Sequence, residues 1–272
     1  MAIHKDFPKS PHEILDPGVR WFPADESLRD SSYEKLMPPL VPELRKAVEK
    51  WRADGYPDIS NTSKTLLNHW FNTPHPINHA DGTTSNFQYY FAQREAVETV
   101  IYLHEMVKVA DKYDLLRFSK SDAVSAQLFE ETWRRYVVKM ATGSGKTKTM
   151  SLILAWSYFH RKYEEGSDLS KNFLVIAPNI IVLDRLRNDF DGLKIFAEDP
   201  VIPSNGIDGK NWKSDFQLTL HIQDQVGPIN PRGNIFLTNI HRVYEDKTKT
   251  PTADDDNSMD FFLGSKPKGK TT

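Results

Sequence analysis

The chain has 272 residues, 39% apolar and 26% charged, enough to bury the core of one large domain or two small ones. Its 35 basic and 37 acidic side chains leave a net charge of -2, so any nucleic-acid surface must be a local patch, because there is no global basic footprint. With no cysteine, disulfides, thiolate metal sites and a cysteine nucleophile are excluded together.

The opening "MAIHKDFPKSPHEIL" lacks the apolar centre of a signal peptide, and the longest apolar run, "MSLILAWSYF", is too short to span a bilayer. A cytoplasmic protein without a membrane segment is expected. The first thirty residues, rich in Pro, Asp, Ser and His, read as an irregular arm. "VPELRKAVEKWRADG" puts Leu44, Ala47, Val48 and Trp51 on one helical face and closes at Gly55, and "SKTLLNHWF" predicts a second helix. Residues 1–87 thus read as a small, mainly helical accessory region that ends in a loop, "NTPHPINHADGTTSN".

In "FQYYFAQREAVETVIYLHEMVKVADKY", Ala96, Val97, Val100, Ile101, Leu103, Val107 and Ala110 recur at helical spacing, which predicts one long amphipathic helix. A mixed connector, "DLLRFSKSDAVSAQLFEETW", follows it. "RRYVVKM" then reads as a short β-branched strand stopped by "ATGSG", and "TMSLILAWSYFH" as a buried helix. Next come a buried strand, "NFLVIAP", and a helix capped by Asn179 with Ile180, Leu183, Leu186 and Phe190 on one face. "DFQLTLHIQ" alternates, with Phe216, Leu218, Leu220 and Ile222 on one side, as a half-solvated strand would; "NIFLTN" is a third buried strand. Strand and helix in alternation predict an α/β fold with a parallel sheet and flanking helices over 88–245, followed by a polar tail, 246–272, in which only "MDFFL" could pack.

Two stretches compete as phosphate loops. "GSKPKGKTT", Gly264 to Thr272, satisfies G-x-x-x-x-G-K-[ST]; "MATGSGKT", Met140 to Thr147, fails it at Met140. Such a loop needs a strand before it, glycines at the bend and a helix opening on the lysine, so that backbone N–H groups and the helix dipole meet the phosphate. "RRYVVKMATGSGKTKTMSLILAWSYF" supplies all three, whereas the C-terminal copy contains Pro267 and stops without a helix. The nucleotide residues are therefore expected to be Thr142, Gly143, Ser144, Gly145, Lys146, Thr147 and Lys148. Lys146 would reach the β and γ phosphates of ATP, and the Thr147 hydroxyl would hold Mg²⁺. The loop alone fits kinases, GTPases, transporters and helicases alike.

The neighbouring stretches carry a resemblance. "FLVIAPNIIVLDRLRNDF" resembles motif Ia of superfamily 2 helicases, "NIFLTNIHRV" the next conserved strand end, and "FAQREAVETVIYLHE" their glutamine motif. "QREAVE" together with "KMATGSGKT" is most like the restriction (Res) subunit of type III restriction-modification enzymes, a branch of the DEAD/DEAH-box proteins, over roughly residues 88 to 245. The resemblance implies an incomplete RecA-like P-loop domain, an ATP-dependent helicase or translocase with a nuclease domain elsewhere, and double-stranded DNA as track. It also implies a methyltransferase or specificity subunit as partner. Gln93 would read the adenine edge, with Phe91 or Arg94 beside it, and Pro178, Asn179, Arg185, Thr238 and Asn239 would touch the nucleic-acid backbone.

That family also needs an Asp-Glu pair at a strand end for Mg²⁺ and the attacking water. None follows "NIFLTN"; Asp254, Asp255 and Asp256 read as a solvated loop, and the chain reads as cut off just short of the pair. A regulatory P-loop module that is no motor remains a second reading, and a small-molecule kinase a third. His75 and His79 have metal-like spacing without a third ligand, Ser144 lacks a nucleophile elbow, and Trp51, Trp70 and Trp156 fall at helical-core positions. Missing sheet neighbours should leave strand edges and one apolar helix face exposed, so the 272 residues alone are expected to be marginally stable or aggregation-prone. A thermal melt of the purified chain tests this, and a cooperative transition at high temperature would contradict it.

Overall fold

A computed structural model describes residues 40–119, 134–223 and 225–243. The expectations for the N-terminal arm, for "MDFFL", for the aspartate run at 254–256 and for "GSKPKGKTT" lie outside the described residues. Among the described residues, no helix is long and apolar enough to cross a membrane.

Helix α1 (Val41–Ala53) starts on Val41 and Pro42, whose fixed backbone suits a first turn, and buries Val48 and Trp51 before Gly55 turns the chain at φ 78°. Helix α2 (Asn61–Phe71) is capped by Ser60, whose hydroxyl accepts the Ser63 N–H at 3.2 Å. The stretch expected as a loop forms an antiparallel hairpin, β1 (His75–Asn78) and β2 (Thr84–Phe87), in the register His75 with Phe87. Asp81 makes its turn, accepting the Thr83 N–H at 2.9 Å and the Thr83 hydroxyl at 2.6 Å. The strands are short and mostly exposed, so they lack the apolar alternation by which a strand is read from sequence.

Helix α3 (Phe91–Ile101) is shorter than predicted. It passes into a π-helical turn over Tyr102–Met106, and Lys108, at φ 54°, ends it. Leu103 and Val107 remain buried against Phe118 of a 3-10 turn (Lys112–Phe118), while Ala110 lies outside the helix. The cause is local: the Asp114 carboxylate accepts the N–H groups of Ala110 at 2.7 Å and Asp111 at 3.2 Å, so the chain starts a new turn there.

Residues 134–140, expected as the strand before the phosphate loop, form none. β-branched residues favour extended backbone, but a strand exists only with a hydrogen-bonded neighbour, and no described strand pairs with this segment. Val137 is 87% exposed, and the segment borders an apolar cavity of about 460 Å³ against α1 and α3.

Helix α4 (Lys146–Tyr163) follows the loop, with Leu152, Ala155, Trp156 and Phe159 in the core. Strand β3 (Asn172–Ala177) leads to α5 (Ile180–Phe190), capped by Asn179, whose side-chain oxygen accepts the Val182 N–H at 2.9 Å. Leu183, Leu186 and Phe190 are buried as expected. Ile180 is 64% exposed, because the face that packs on the sheet begins one turn later. The short helices α6 (Lys194–Ala197) and α7 (Trp212–Asp215) precede β4 (Thr219–Ile222) and β5 (Asn234–Asn239).

The sheet order is β3-β5-β4, all parallel, which gives the α/β architecture with helices flanking a parallel sheet. Strand β4 departs from the half-solvated expectation. Its opposite face carries His221, 2% exposed and stacked on Phe236 at 4.9 Å. Both ring nitrogens are satisfied, one by Asn234 Oδ1 at 2.9 Å and one by the Gly227 N–H at 3.2 Å, which lets a polar ring be buried. Asn234 also donates to Asn172 Oδ1 and the Asn230 carbonyl, both at 2.8 Å, and so clasps the three strands at their N-terminal end. Strand β3 is an outer strand of this sheet, with Leu174 62% and Ile176 39% exposed.

One continuous core runs from the accessory helices into the α/β region and includes Trp51, Trp70, Trp156 and Trp212. Its polar counterpart is Glu98, fully buried on α3, which accepts from Arg52 of α1, from Arg94 and from the Tyr56 hydroxyl. Removing the Glu98 carboxylate leaves two guanidinium groups, Arg52 and Arg94, without the counter-charge they share. Glu98→Ala should therefore cost about 3–5 kcal/mol of unfolding free energy in urea titrations, well above an exposed Glu→Ala change.

Candidate nucleotide site

The turn Thr142–Gly145 reverses the chain with φ 80° at Gly143 and 81° at Gly145, a region that residues with a Cβ seldom adopt. Gly145 is also the cap residue of α4, and no side chain caps that helix. The first N–H groups of an 18-residue helix, and the positive end of its dipole, are thus left for another acceptor. Met140, which stands where the pattern has glycine, is accommodated: its sulfur accepts the Thr149 hydroxyl at 3.5 Å.

Lys146 opens the helix and is exposed, and its ammonium donates to the Ala141 carbonyl at 2.8 Å. The Ser144 hydroxyl donates to the same carbonyl at 2.7 Å. Thr147 sits half-buried in the first turn. A glycine turn, an uncapped helix and a lysine folded back over the loop fit a polyphosphate, which would supply the acceptors that α4 lacks and that Ala141 now supplies to Lys146.

Lys148 points elsewhere. Its ammonium lies 2.7 and 2.6 Å from the two Asp199 carboxylate oxygens and 5.3 Å from the centre of the Phe87 ring. Neither partner was predicted from sequence, although the aromatic run "FQYYF" marks Phe87 as one of several rings close to the glutamine motif.

Gln93 is 2% exposed, and its amide is in use at both ends. Its oxygen accepts the Tyr90 N–H at 2.9 Å, closing the first turn of α3, and its nitrogen donates to the Ser144 carbonyl at 3.0 Å. It holds the phosphate loop, and each end of its amide already has a protein partner. Arg94 is committed to Glu98, Tyr56 and Asn72, and Phe91 lies under Arg52 with its ring centre 5.2 Å away. Beside them lies a cavity of about 410 Å³ walled by Phe71, Phe87, Tyr89 and Phe91, with Gln88 and Arg94 at its edge.

The second group of predicted residues lies at the C-terminal end of the sheet. Ala177 and Asn239 are register partners, so Pro178 and Asn179 follow β3 beside Thr238 and Asn239 of β5. Asn179 and Asn239 are caps, the latter accepting the His241 N–H at 2.9 Å; Arg185 is exposed on α5. His241 Nδ1 is buried without a hydrogen-bond partner, a feature no sequence pattern signalled. His75 and His79, the discounted pair, each hold a hairpin contact, His75 to the His69 carbonyl and His79 to the Ser85 hydroxyl, both at 2.7 Å.

Residues 86–264, about two thirds of the chain, match the family model described as type III restriction enzyme, res subunit. No curated protein and no solved structure matches the chain at a significant level.

A Cβ on Gly145 would come 2.1 Å from Gln93 Nε2, at a φ that alanine resists. Gly145→Ala should destabilise the protein by about 1–3 kcal/mol in denaturant titrations. Adding Gln93→Ala should return part of that loss, because the steric share disappears while the backbone strain stays; a double-mutant cycle without coupling would contradict the contact.

Proposed function

We propose that this chain, which belongs to the type III restriction enzyme res subunit family, uses its helicase-family ATP-binding domain as part of a nucleic-acid-dependent ATPase of the translocase or helicase type. The observation that carries the reading is the uncapped N-terminus of α4, opened by Lys146 under a two-glycine turn. Gly143, Ser144 and Gly145 would wrap the phosphates with backbone N–H groups, and Lys146 would leave the Ala141 carbonyl to neutralise the β and γ oxygens. Thr147 would hold Mg²⁺, which supplies further charge neutralisation on the phosphates. Thr142 would close the turn on its solvent side, and Lys148, tied to Asp199, would fix the first helical turn.

The adenine would stack in the aromatic cavity beside α3, and Gln93 would act on the nucleotide through the loop it holds. Pro178, Asn179, Arg185, Thr238 and Asn239 would follow the backbone of double-stranded DNA without reading its sequence. A restriction role, with a nuclease domain and a methyltransferase partner, extends the family assignment one step further.

A non-motor regulatory module is favoured by one observation. Strand β3 runs into Pro178-Asn179 and β5 into Ile240-His241, so neither carries the Asp-Glu pair that hydrolysis requires. Binding and turnover separate the two. Lys146→Ala should weaken ATP binding by about 10- to 100-fold in calorimetry, the weight of a charge-assisted hydrogen bond. Unchanged affinity would remove the nucleotide site; ATP turnover stimulated by double-stranded DNA would favour the motor, and binding without turnover the module.

A further inference from the structure

The chain enters the phosphate loop through residues 134–140, which pair with no described strand, and two of their side chains tie them to the rest of the protein. Tyr136 packs half-buried against both apolar cores. Arg134, at the start of the segment, reaches a polar cluster between the π-helical turn and the chain that follows α4.

His104 is the centre of that cluster. It lies in the π turn, a rare geometry that concentrates at functional sites, and is 9% exposed. Its Nδ1 is 3.2 Å from the Arg134 guanidinium and its Nε2 is 3.1 Å from the Asp168 carboxylate, while Arg134 also donates to Asp168, so the three groups touch pairwise. A guanidinium only donates, so Nδ1 must accept, and the proton of the neutral ring sits on Nε2, facing Asp168. An imidazolium donates at both nitrogens and would set N–H against N–H, and charge against charge, toward Arg134.

The other neighbours do not relieve that conflict. Helix α4 presents the Trp156 ring 5.3 Å from His104 and the His160 ring 6.3 Å away. Glu105, next to His104 in the turn, accepts the Ser60 N–H at 2.7 Å and the Ser63 hydroxyl, and lies 3.7 Å from His160 Nε2. Burial, the largest influence, pushes His104 below its ordinary value of 6.5; Asp168 and Glu105 act upward on it, and Arg134 and His160 downward. Partial burial acts upward on Asp168, but His104 and Arg134 outweigh it and hold its carboxyl below the ordinary value, so it stays ionised while the ring titrates. A histidine lowered in this way keeps its neutral contacts in full above 6.5 and gives them up as the pH falls below it.

We propose that His104, Arg134 and Asp168 form an acid-sensitive latch: the neutral ring holds Arg134, and with it the chain that leads into the phosphate loop, against the π turn, and protonation of the ring releases it. Tyr136 stays in the core on either side of this change, so release loosens the segment without detaching it. The latch stands on the three contacts alone; its effect on a nucleotide rests on the reading given above.

Imidazole ¹⁵N spectra of the purified 272-residue chain should show His104 as the Nε2–H tautomer at about pH 7.5, with a midpoint below 6.5. Amide exchange over residues 134–139, corrected for intrinsic rate, should quicken at least about threefold between about pH 7.5 and 5.5, while residues 235–237 of the sheet stay unchanged. His104→Gln, whose uncharged amide accepts from Arg134 or donates to Asp168 at any pH, should lose that dependence, and Arg134→Met should exchange fast at both pH values. An Nδ1–H tautomer, exchange that ignores pH, equal quickening in the sheet, the same pH dependence in His104→Gln, or parental exchange in Arg134→Met overturns the latch. The spectra and the parent's exchange decide it even where a variant does not fold. Over the same pH range, the affinity of a fluorescent ATP analogue should fall at least about twofold further in the parent than in His104→Gln. Parallel curves overturn the coupling to the loop. An analogue that binds at neither pH counts against the nucleotide reading and leaves the exchange result standing.

Discussion

The amide of Gln93 ties the first turn of α3 to the phosphate loop. One end closes the first turn of α3 and the other grips the Ser144 carbonyl, while its nitrogen occupies the space a side chain at position 145 would need. From that grip the geometry radiates in both directions. Helix α3 is bound to α1 through Glu98, Arg52 and Tyr56, and α4 is bound to the 198–202 stretch through Lys148 and Asp199. The loop is thus suspended between two buried or half-buried charge networks, and its shape depends on helices that lie well outside the glycine run. Partial burial makes such pairs sensitive to the loss of either member, so the accessory helices are part of the site's scaffold.

The sheet contributes differently. Three parallel strands are held at their N-terminal end by Asn234, His221 and Asn172, and at the other end they offer two adjacent strand ends with their caps. Among the described residues the phosphate loop reaches this partial RecA-like sheet through α4 and the chain that follows it, since residues 134–140 pair with no described strand. The open side of β3, with Leu174 and Ile176 exposed, presents the ladder groups and apolar surface that a further strand would cover.

Much of this was legible in the sequence. The helices at 41–53, 61–71 and 146–163 were marked by periodicity, and Gly55, Asn179 and Lys146 by end chemistry, because those features depend on residues a few positions apart. The stretch 140–147 was preferred to the C-terminal pattern for its flanks, of which the helix is present and the strand over residues 134–140 is not. What stayed hidden depends on distant partners. The 134–140 segment has strand composition without a strand neighbour, and the polar hairpin at 75–87 has neighbours without strand composition. The π turn after α3 arises where the chain must start again at Asp114, and His221 could be buried only because Asn234 and Gly227 meet it. Gln93 was singled out from sequence for an adenine edge, but its neighbours Tyr90 and Ser144 decide what its amide touches here.

The double occupancy of the Ala141 carbonyl has a further meaning. With Lys146 and Ser144 both donating to it, the loop closes on an oxygen of its own backbone, an internal stand-in for an incoming anion. Any ligand must first outcompete that oxygen, and breaking a charge-assisted bond of this kind costs about 1.5–3 kcal/mol. A lone chloride or acetate offers too little in return. A polyphosphate, the ligand proposed for this loop, would bring several oxygens for the ammonium, the hydroxyl and the bare helix end at once. On the nucleotide reading proposed above, the loop would be a threshold as well as a cradle, closed to an anion that meets only one of its donors.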